Sequence, residues 1–118
     1  MIVTTSFLNT IGYPGLSILA ATKAATRSLV RTLGAELASR GIRVNAVSPG
    51  AIATPFYSKI GLPENVLAQV AASITDKVAL KRFGNAEELA KTALFLASED
   101  SSYTTGTELV VDGGLTQF

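Results

Sequence analysis

The sequence contains no cysteine, no histidine and no tryptophan among its 118 residues. The absence of cysteine and histidine excludes disulfides, thiolate nucleophiles and Ser-His-Asp triads, together with the usual zinc ligand sets. No metal site is therefore predicted. The side chains left for chemistry are hydroxyls, lysines and carboxylates, and backbone amides can assist them.

Charge is also scarce, because charged residues make up 16% of the chain and the formal net charge is +1. This balance favours neither nucleic acid nor a membrane surface as a partner. The sequence has no apolar run long enough to span a bilayer and no basic segment followed by an apolar run near its start, so a cytoplasmic protein is expected. The length and the 47% hydrophobic content predict one domain over residues 1–118.

The first half of the chain alternates between strand and helix patterns. Residues 2–6, "IVTTS", are β-branched and predict a buried strand, which a loop follows. Residues 16–39 predict a long helix, with leucines spaced four residues apart and Gly41 as its stop. Residues 42–47 predict a second strand that ends at "SPG", residues 48–50, because proline cannot donate to a ladder.

The second half continues the alternation. Residues 51–63 are predicted to be irregular, and residues 64–75 suit a short amphipathic helix. Asn85 followed three residues later by Glu88 predicts a capped helix, and "ELVVDGG" predicts a third strand ending on glycines. This order predicts an α/β fold with a parallel sheet, flanking helices and a ligand site at the carboxyl ends of the strands.

Five stretches carry a resemblance to the C-terminal half of the short-chain dehydrogenase/reductase family. They are "IVTTS", the helix around Lys23, "GIRVNAVSPGAIATPF", "RFGNAEELAKTALFLASEDSSYTTG" and "ELVVDGG". The resemblance implies a partial Rossmann-like sheet made of the last three strands. It also implies an oxidoreductase that uses NAD or NADP on a carbonyl or alcohol. The glycine-rich turn that binds the pyrophosphate in this family has no counterpart in the sequence, and neither has the residue that selects NAD or NADP.

Lys23 matches the lysine of the family's catalytic pair, whose tyrosine lies four residues earlier. Leu19 occupies that position here, on the same helical face as Lys23. Leucine has no proton to give, and general acid catalysis contributes about 10²–10⁴ in rate. Leu19 is therefore expected to face the core. The alternative for Lys23 is membership of a solvated cationic stripe with Arg27 and Arg31.

Two hydroxyl residues near the first strand are further candidates. By resemblance, Ser6 matches the residue whose hydroxyl polarises the substrate carbonyl, although serine is also an ordinary residue with which to begin a loop. Tyr13 is the phenol nearest to Leu19 before the helix and is a hypothetical substitute acid.

The turn after the second strand is the remaining candidate cofactor contact. Pro49, Gly50, Ile52 and Thr54 match the family's loop on the nicotinamide side of the cofactor. There, backbone groups near Ile52 meet the carboxamide and the Thr54 hydroxyl contacts the cofactor. The turn at residues 112–114 also matches the family and is expected to be structural.

The resemblance leaves the strand at residues 2–6 without a neighbour on one side. We therefore expect a homo-oligomer that pairs this edge, or a partner chain that supplies the nucleotide-binding half. Two functions stay open, namely an NAD(P)-dependent oxidoreductase and a non-catalytic remnant of one that serves as an oligomeric scaffold. A hydrolase with Ser6 as nucleophile and Lys23 as base is disfavoured, because the chain lacks histidine and a nucleophile elbow.

Overall fold

A three-stranded parallel sheet lies at the centre of the computed structural model, which describes residues 1–55, 59, 61 and 63–118. The sheet consists of β1 (Ile2–Thr4), β2 (Asn45–Pro49) and β5 (Glu108–Val111), with β2 in the middle. Val3 lies opposite Ala46, which in turn lies opposite Glu108. The predicted α/β fold with a parallel sheet is confirmed.

Within the described residues, three α-helices accompany the sheet: α1 (Ser17–Leu37), α2 (Glu64–Lys77) and α3 (Ala86–Ala97). A 3₁₀ turn follows α1, and Gly41 then adopts a φ of +68°, as the predicted glycine stop requires. The Asn85 side chain accepts from the Glu88 N–H at 2.9 Å, and the Glu88 carboxylate accepts from the Asn85 N–H at 2.8 Å. The predicted capping box is therefore confirmed.

The two faces of β2 pack against different helices, because successive side chains of an extended chain point in opposite directions. Val44 and Ala46 form a buried cluster with Val30 of α1. On the other face, Arg43 and Asn45 reach α3 and the loop that follows it. Covering a parallel sheet on both faces is what its apolar strands require.

Strand β2 begins at Asn45 and ends at Pro49, later at both ends than the predicted range 42–47. Pro49 lies inside the strand, opposite Val111, rather than after its end. The ladder to β5 continues through the Gly50 N–H, which donates to the Val111 carbonyl at 2.9 Å. The N–H that Pro49 lacks would point towards β1, which has already ended at Thr4. Proline therefore costs this strand no hydrogen bond in the ladder to β5.

A second, two-stranded parallel sheet was not predicted. It pairs β3 (Ile52–Ala53) with β4 (Gly84–Asn85), so the prediction of an irregular segment over 51–63 was wrong for β3. Strands of two residues are too short to show periodicity. Residues 56, 57, 58, 60 and 62 of that segment lie outside the described residues.

Apolar side chains along β1 and α1 are more exposed than predicted. β1 was expected to be buried, yet Ile2 is 36% exposed, because β1 is an edge strand. Leu19 was expected to face the core and is 44% exposed, which corrects that prediction. In the described part of the chain, no helix is both long and apolar enough to cross a membrane.

Candidate functional site

Ser6 lies two residues beyond the end of β1, where the chain enters a 3₁₀ turn at Phe7–Asn9. Its Oγ accepts from the Leu8 N–H at 3.3 Å, and its carbonyl accepts from the Asn9 N–H at 3.0 Å. The hydroxyl therefore caps the turn as an acceptor, and its own hydrogen remains available to another group. Ser6 is half-buried at the carboxyl end of the sheet.

Lys23 reaches the same end of β1 from the second turn of α1. Its Nζ donates to the Thr4 carbonyl at 3.2 Å. The backbone groups of Met1 and Thr5 bond to β2, so the intervening groups of Ile2 and Thr4 point to the free edge of the sheet. The Lys23 ammonium thus contacts the backbone at Thr4, two residues before Ser6 in the sequence. The exposed Leu19 lies one helical turn before Lys23 on α1.

The contacts of Arg27 contradict the alternative that Lys23, Arg27 and Arg31 form a solvated cationic stripe. Its Nε lies 3.4 Å from Glu108 Oε2, and its Nη1 donates to the Gly106 carbonyl at 3.0 Å. The two charged side chains are only 20% and 11% exposed. Arg31, by contrast, is exposed and makes no hydrogen bond or ion pair with any described residue.

Glu108 is the site residue that the sequence analysis missed. Besides the ion pair with Arg27, its Oε1 accepts from Thr5 Oγ1 and from Asn9 Nδ2, the latter at 2.7 Å. A glutamate at the start of a strand carries no local signal of these partners, because they lie far away along the sequence. Nothing in the residue pattern could have identified it.

The turn after β2 packs tightly against the turn after β5. A Cβ atom at Gly50 would lie 2.5 Å from Asp112 Cβ, so only glycine allows the two turns to approach this closely. The Asp112 carboxylate is buried and accepts from Gly114 N, Thr116 N and Thr116 Oγ1 at 2.7–2.9 Å. These contacts agree with the structural role expected for residues 112–114.

The other predicted loop residues lie beside this turn. Pro49 is half-buried in β2, and Ile52 is buried, with Gly84 opposite it in the small sheet. Thr54 is exposed, and its hydroxyl makes no hydrogen bond to any described residue. Tyr13 lies apart in the loop before α1, where its ring centroid is 5.4 Å from Lys77 Nζ at the end of α2.

The residues present suit one end of a dinucleotide. The Lys23 ammonium and the Thr54 hydroxyl could donate hydrogen bonds to ribose hydroxyls or to a carboxamide oxygen. The pyrophosphate is not provided for in the same way. The adjacent glycines Gly113 and Gly114 have positive φ angles, but the Asp112 carboxylate already binds the Gly114 N–H and would repel an anion.

A charged pair at the start of α3 is also well defined. Arg82 makes two contacts with the Glu88 carboxylate, at 2.7 and 2.9 Å. These hydrogen bonds, and the one from the Asn85 N–H, lower the pKa of Glu88 to about 2, while the same carboxylate raises the pKa of Arg82. The pair fixes the entry into α3, close to Ile52.

Comparison with known proteins gives a consistent result. A model of the enoyl-(acyl carrier protein) reductase family matches residues 1–116. The glucose 1-dehydrogenase of Gluconobacter oxydans is 45% identical over the whole of this chain and 43% of its own length. The 3-oxoacyl-[acyl-carrier-protein] reductase FabG of Thermotoga maritima is 44% identical over 93% of this chain and 42% of its own length.

Solved structures agree with the sequence relatives. A gluconate 5-dehydrogenase from Burkholderia cenocepacia, solved in complex with NADP and tartrate, superimposes with a TM-score of 0.88 at 31% identity. The match covers 99% of this chain and 44% of that structure. The chain thus spans less than half the length of these relatives, and it aligns with them almost from end to end.

Proposed function

This chain belongs to the short-chain dehydrogenase/reductase family, and we propose that it forms the nicotinamide-side half of an NAD(P)-dependent oxidoreductase that acts on a carbonyl or alcohol. The relatives named above are oxidoreductases, which supports this general role. The observation that carries the proposal is that Lys23 Nζ donates to the Thr4 carbonyl at the carboxyl end of β1, two residues before Ser6. Parallel α/β sheets bind their ligands at this end.

Each residue has a definite part in the proposed reaction. When bound, NAD or NADP would supply the hydride to a carbonyl carbon or accept it from an alcohol. The Ser6 hydroxyl would donate a hydrogen bond to the carbonyl oxygen, and the Lys23 ammonium would leave the Thr4 carbonyl and donate to the ribose hydroxyls. The Thr54 hydroxyl and the backbone near Ile52 would hold the carboxamide, and Pro49 and Gly50 fix that turn against β5.

The proton donor is the weak point of this site. Leu19 stands where the family pattern has a tyrosine, and no hydrogen on its side chain can be transferred. We therefore propose that the isolated chain turns over slowly at best, because the chemical step lacks its general acid. The second candidate, a non-catalytic oligomeric scaffold, is favoured by this leucine and by the exposed apolar residues of α1.

We further propose that the open edge of β1 is covered by a second copy of the chain or by a partner chain that carries the nucleotide-binding half. The backbone groups of Ile2, which bond to no described residue, and the exposed apolar side chains of α1 at Ile18, Leu19 and Leu29 support this proposal. Sedimentation at low micromolar concentration tests it, because a compact, stable monomer would exclude an obligate oligomer. A single domain over residues 1–118 and a cytoplasmic location stay predictions.

Fluorescence titration with NADH and NADPH separates the two functions. Micromolar binding supports the oxidoreductase, whereas millimolar or absent binding supports the scaffold. Lys23→Met should weaken any specific binding, and Arg31→Met is its matched control, because it removes the same charge from the same helix at an exposed position. If both variants bind cofactor as tightly as the wild-type chain, Lys23 has no role in binding.

Substitutions at the missing donor test the chemistry. In a preparation that binds cofactor, Leu19→Tyr should raise the reductase rate by about 10²–10⁴, which is the usual contribution of a general acid. The hypothesis that Tyr13 acts as a substitute acid requires Tyr13→Phe to abolish residual activity. If activity is unchanged in Tyr13→Phe, that hypothesis is wrong.

A further inference from the structure

The carboxylate of Glu108 joins three elements that the strand order alone does not connect. One oxygen accepts from Thr5 Oγ1 at the end of β1 and from Asn9 Nδ2 at 2.7 Å, and the other lies 3.4 Å from Arg27 Nε on α1. The Glu108 side chain is only 11% exposed. A charge withdrawn from water to this degree is stable only while its partners stay in place.

The partners of Glu108 flank the two candidate catalytic groups. Thr5 precedes Ser6 directly, and Asn9 ends the 3₁₀ turn that Ser6 caps. Arg27 lies one helical turn beyond Lys23, so the two side chains share a helix face. One carboxylate therefore holds both ends of the Ser6 turn and the part of α1 that carries Lys23.

Arg27 strengthens this connection, because its Nη1 also donates to the Gly106 carbonyl at 3.0 Å in the loop before β5. The helix is thus attached to both the first residue of β5 and the loop that leads into it. Rotation or sliding of α1 that displaced Lys23 would have to break both contacts.

We propose that Glu108 is a positioning residue, which sets the location of Ser6 relative to Lys23 without touching substrate or cofactor. The roles of Ser6 and Lys23 in this inference rest on the proposed function. The geometric part, that Glu108 holds the Ser6 turn and α1 together, stands independently and can be measured in the absence of any cofactor.

Two substitutions separate the hydrogen bonds that Glu108 accepts from Thr5 and Asn9 from its ion pair with Arg27. In Glu108→Gln the amide oxygen can still accept from Thr5 and Asn9, but its NH₂ group faces Arg27, which has only donors. Glu108→Ala removes both the hydrogen bonds and the ion pair. The matched control is Glu36→Ala, because Glu36 is exposed on α1 and its loss changes the net charge equally.

Amide hydrogen exchange reads the Ser6 turn through the Leu8 and Asn9 N–H groups, which bond to Ser6. We expect Glu108→Ala to accelerate exchange at both amides at least about tenfold, as loss of a hydrogen bond to a charged group implies. Glu108→Gln and Glu36→Ala should leave it within about twofold. Unchanged exchange in Glu108→Ala would overturn the inference.

Cofactor titration distinguishes positioning from a general loss of stability. The double variant Arg27→Met with Glu108→Gln removes both buried charges. Its unfolding midpoint should therefore be higher than that of Glu108→Gln alone, whereas its affinity for NADPH or NADH should remain as low as in Glu108→Gln. Recovery of affinity together with stability would show a merely structural role and overturn the positioning claim. If the wild-type chain binds neither cofactor, the proposed function fails for this chain, and the exchange measurement alone decides whether Glu108 holds the turn.

Discussion

The contact between Gly50 and Asp112 makes a sharp prediction about the turn that shapes the candidate site. A Cβ at Gly50 would lie 2.5 Å from Asp112 Cβ and 2.6 Å from Asp112 Cα. Carbon atoms pack at about 3.5–4.0 Å, so the two turns would have to separate by about 1 Å. Neither atom can rotate away, because the Asp112 carboxylate is held by three hydrogen bonds and the Gly50 N–H bonds to Val111.

Gly50→Ala should therefore destabilise the fold by about 1–3 kcal/mol, the usual cost of overpacking. With a urea m-value of about 1–3 kcal/mol/M, the unfolding midpoint should fall by about 1 M. The control is Gly12→Ala, because no heavy atom of the described residues, its chain neighbours aside, lies within 4 Å of a Cβ at Gly12. Both variants are compared with the wild-type chain at one chain concentration, since association would shift the midpoint. Equal midpoints for Gly50→Ala and Gly12→Ala would refute the reasoning.

Three further predictions concern other parts of the fold. The pKa of Glu88 is lowered to about 2, chiefly by its hydrogen bonds from Arg82, so its contribution to stability is present above the ordinary value of 4.5 and is lost as the pH falls towards 2. Acid unfolding of Glu88→Gln should accordingly depend less on pH in this window. Leu96→Ala should cost about 2–5 kcal/mol in urea unfolding, because Leu96 is buried, whereas Leu94→Ala at an exposed position should stay within about 0.5 kcal/mol. Arg43→Met should lower the thermal midpoint, since the guanidinium donates four hydrogen bonds to the end of α3 and the loop after it.

Features that depend on neighbours in the sequence were predictable. Asn85 and Glu88 form their capping box three residues apart, and each satisfies the other's backbone N–H. Gly41 ends the first helical segment because glycine adopts positive φ at little cost. Both interactions close within one helical turn, so the local pattern contains all the information they need.

Features that join distant segments were missed for the opposite reason. Glu108 acquires Thr5, Asn9 and Arg27 as partners only when three elements meet, and its own neighbours in the sequence do not reveal them. Pro49 was expected to end β2 but lies within it. The strand tolerates proline there because β1, towards which the missing N–H would point, has already ended at Thr4. Ser6 and Lys23 were singled out through their positions in a family pattern, and only the fold shows that Lys23 bonds to Thr4, two residues before Ser6.

Leu19 shows the limit of periodicity most clearly. Spacing decides which side chains share a helix face, but it does not decide which face is covered. On α1, Val30 is fully buried while its neighbour Leu29 is 52% exposed. Ile18 and Leu29 lie about three helical turns apart and therefore on the same side of α1. Burial of one such side chain contributes about 1.5–3 kcal/mol, so covering this side by association would contribute free energy comparable with a large part of the roughly 5–15 kcal/mol that stabilises a typical domain. The exposed face of α1 and the open edge of β1 therefore favour association for separate physical reasons, the first through apolar area and the second through unpaired backbone groups.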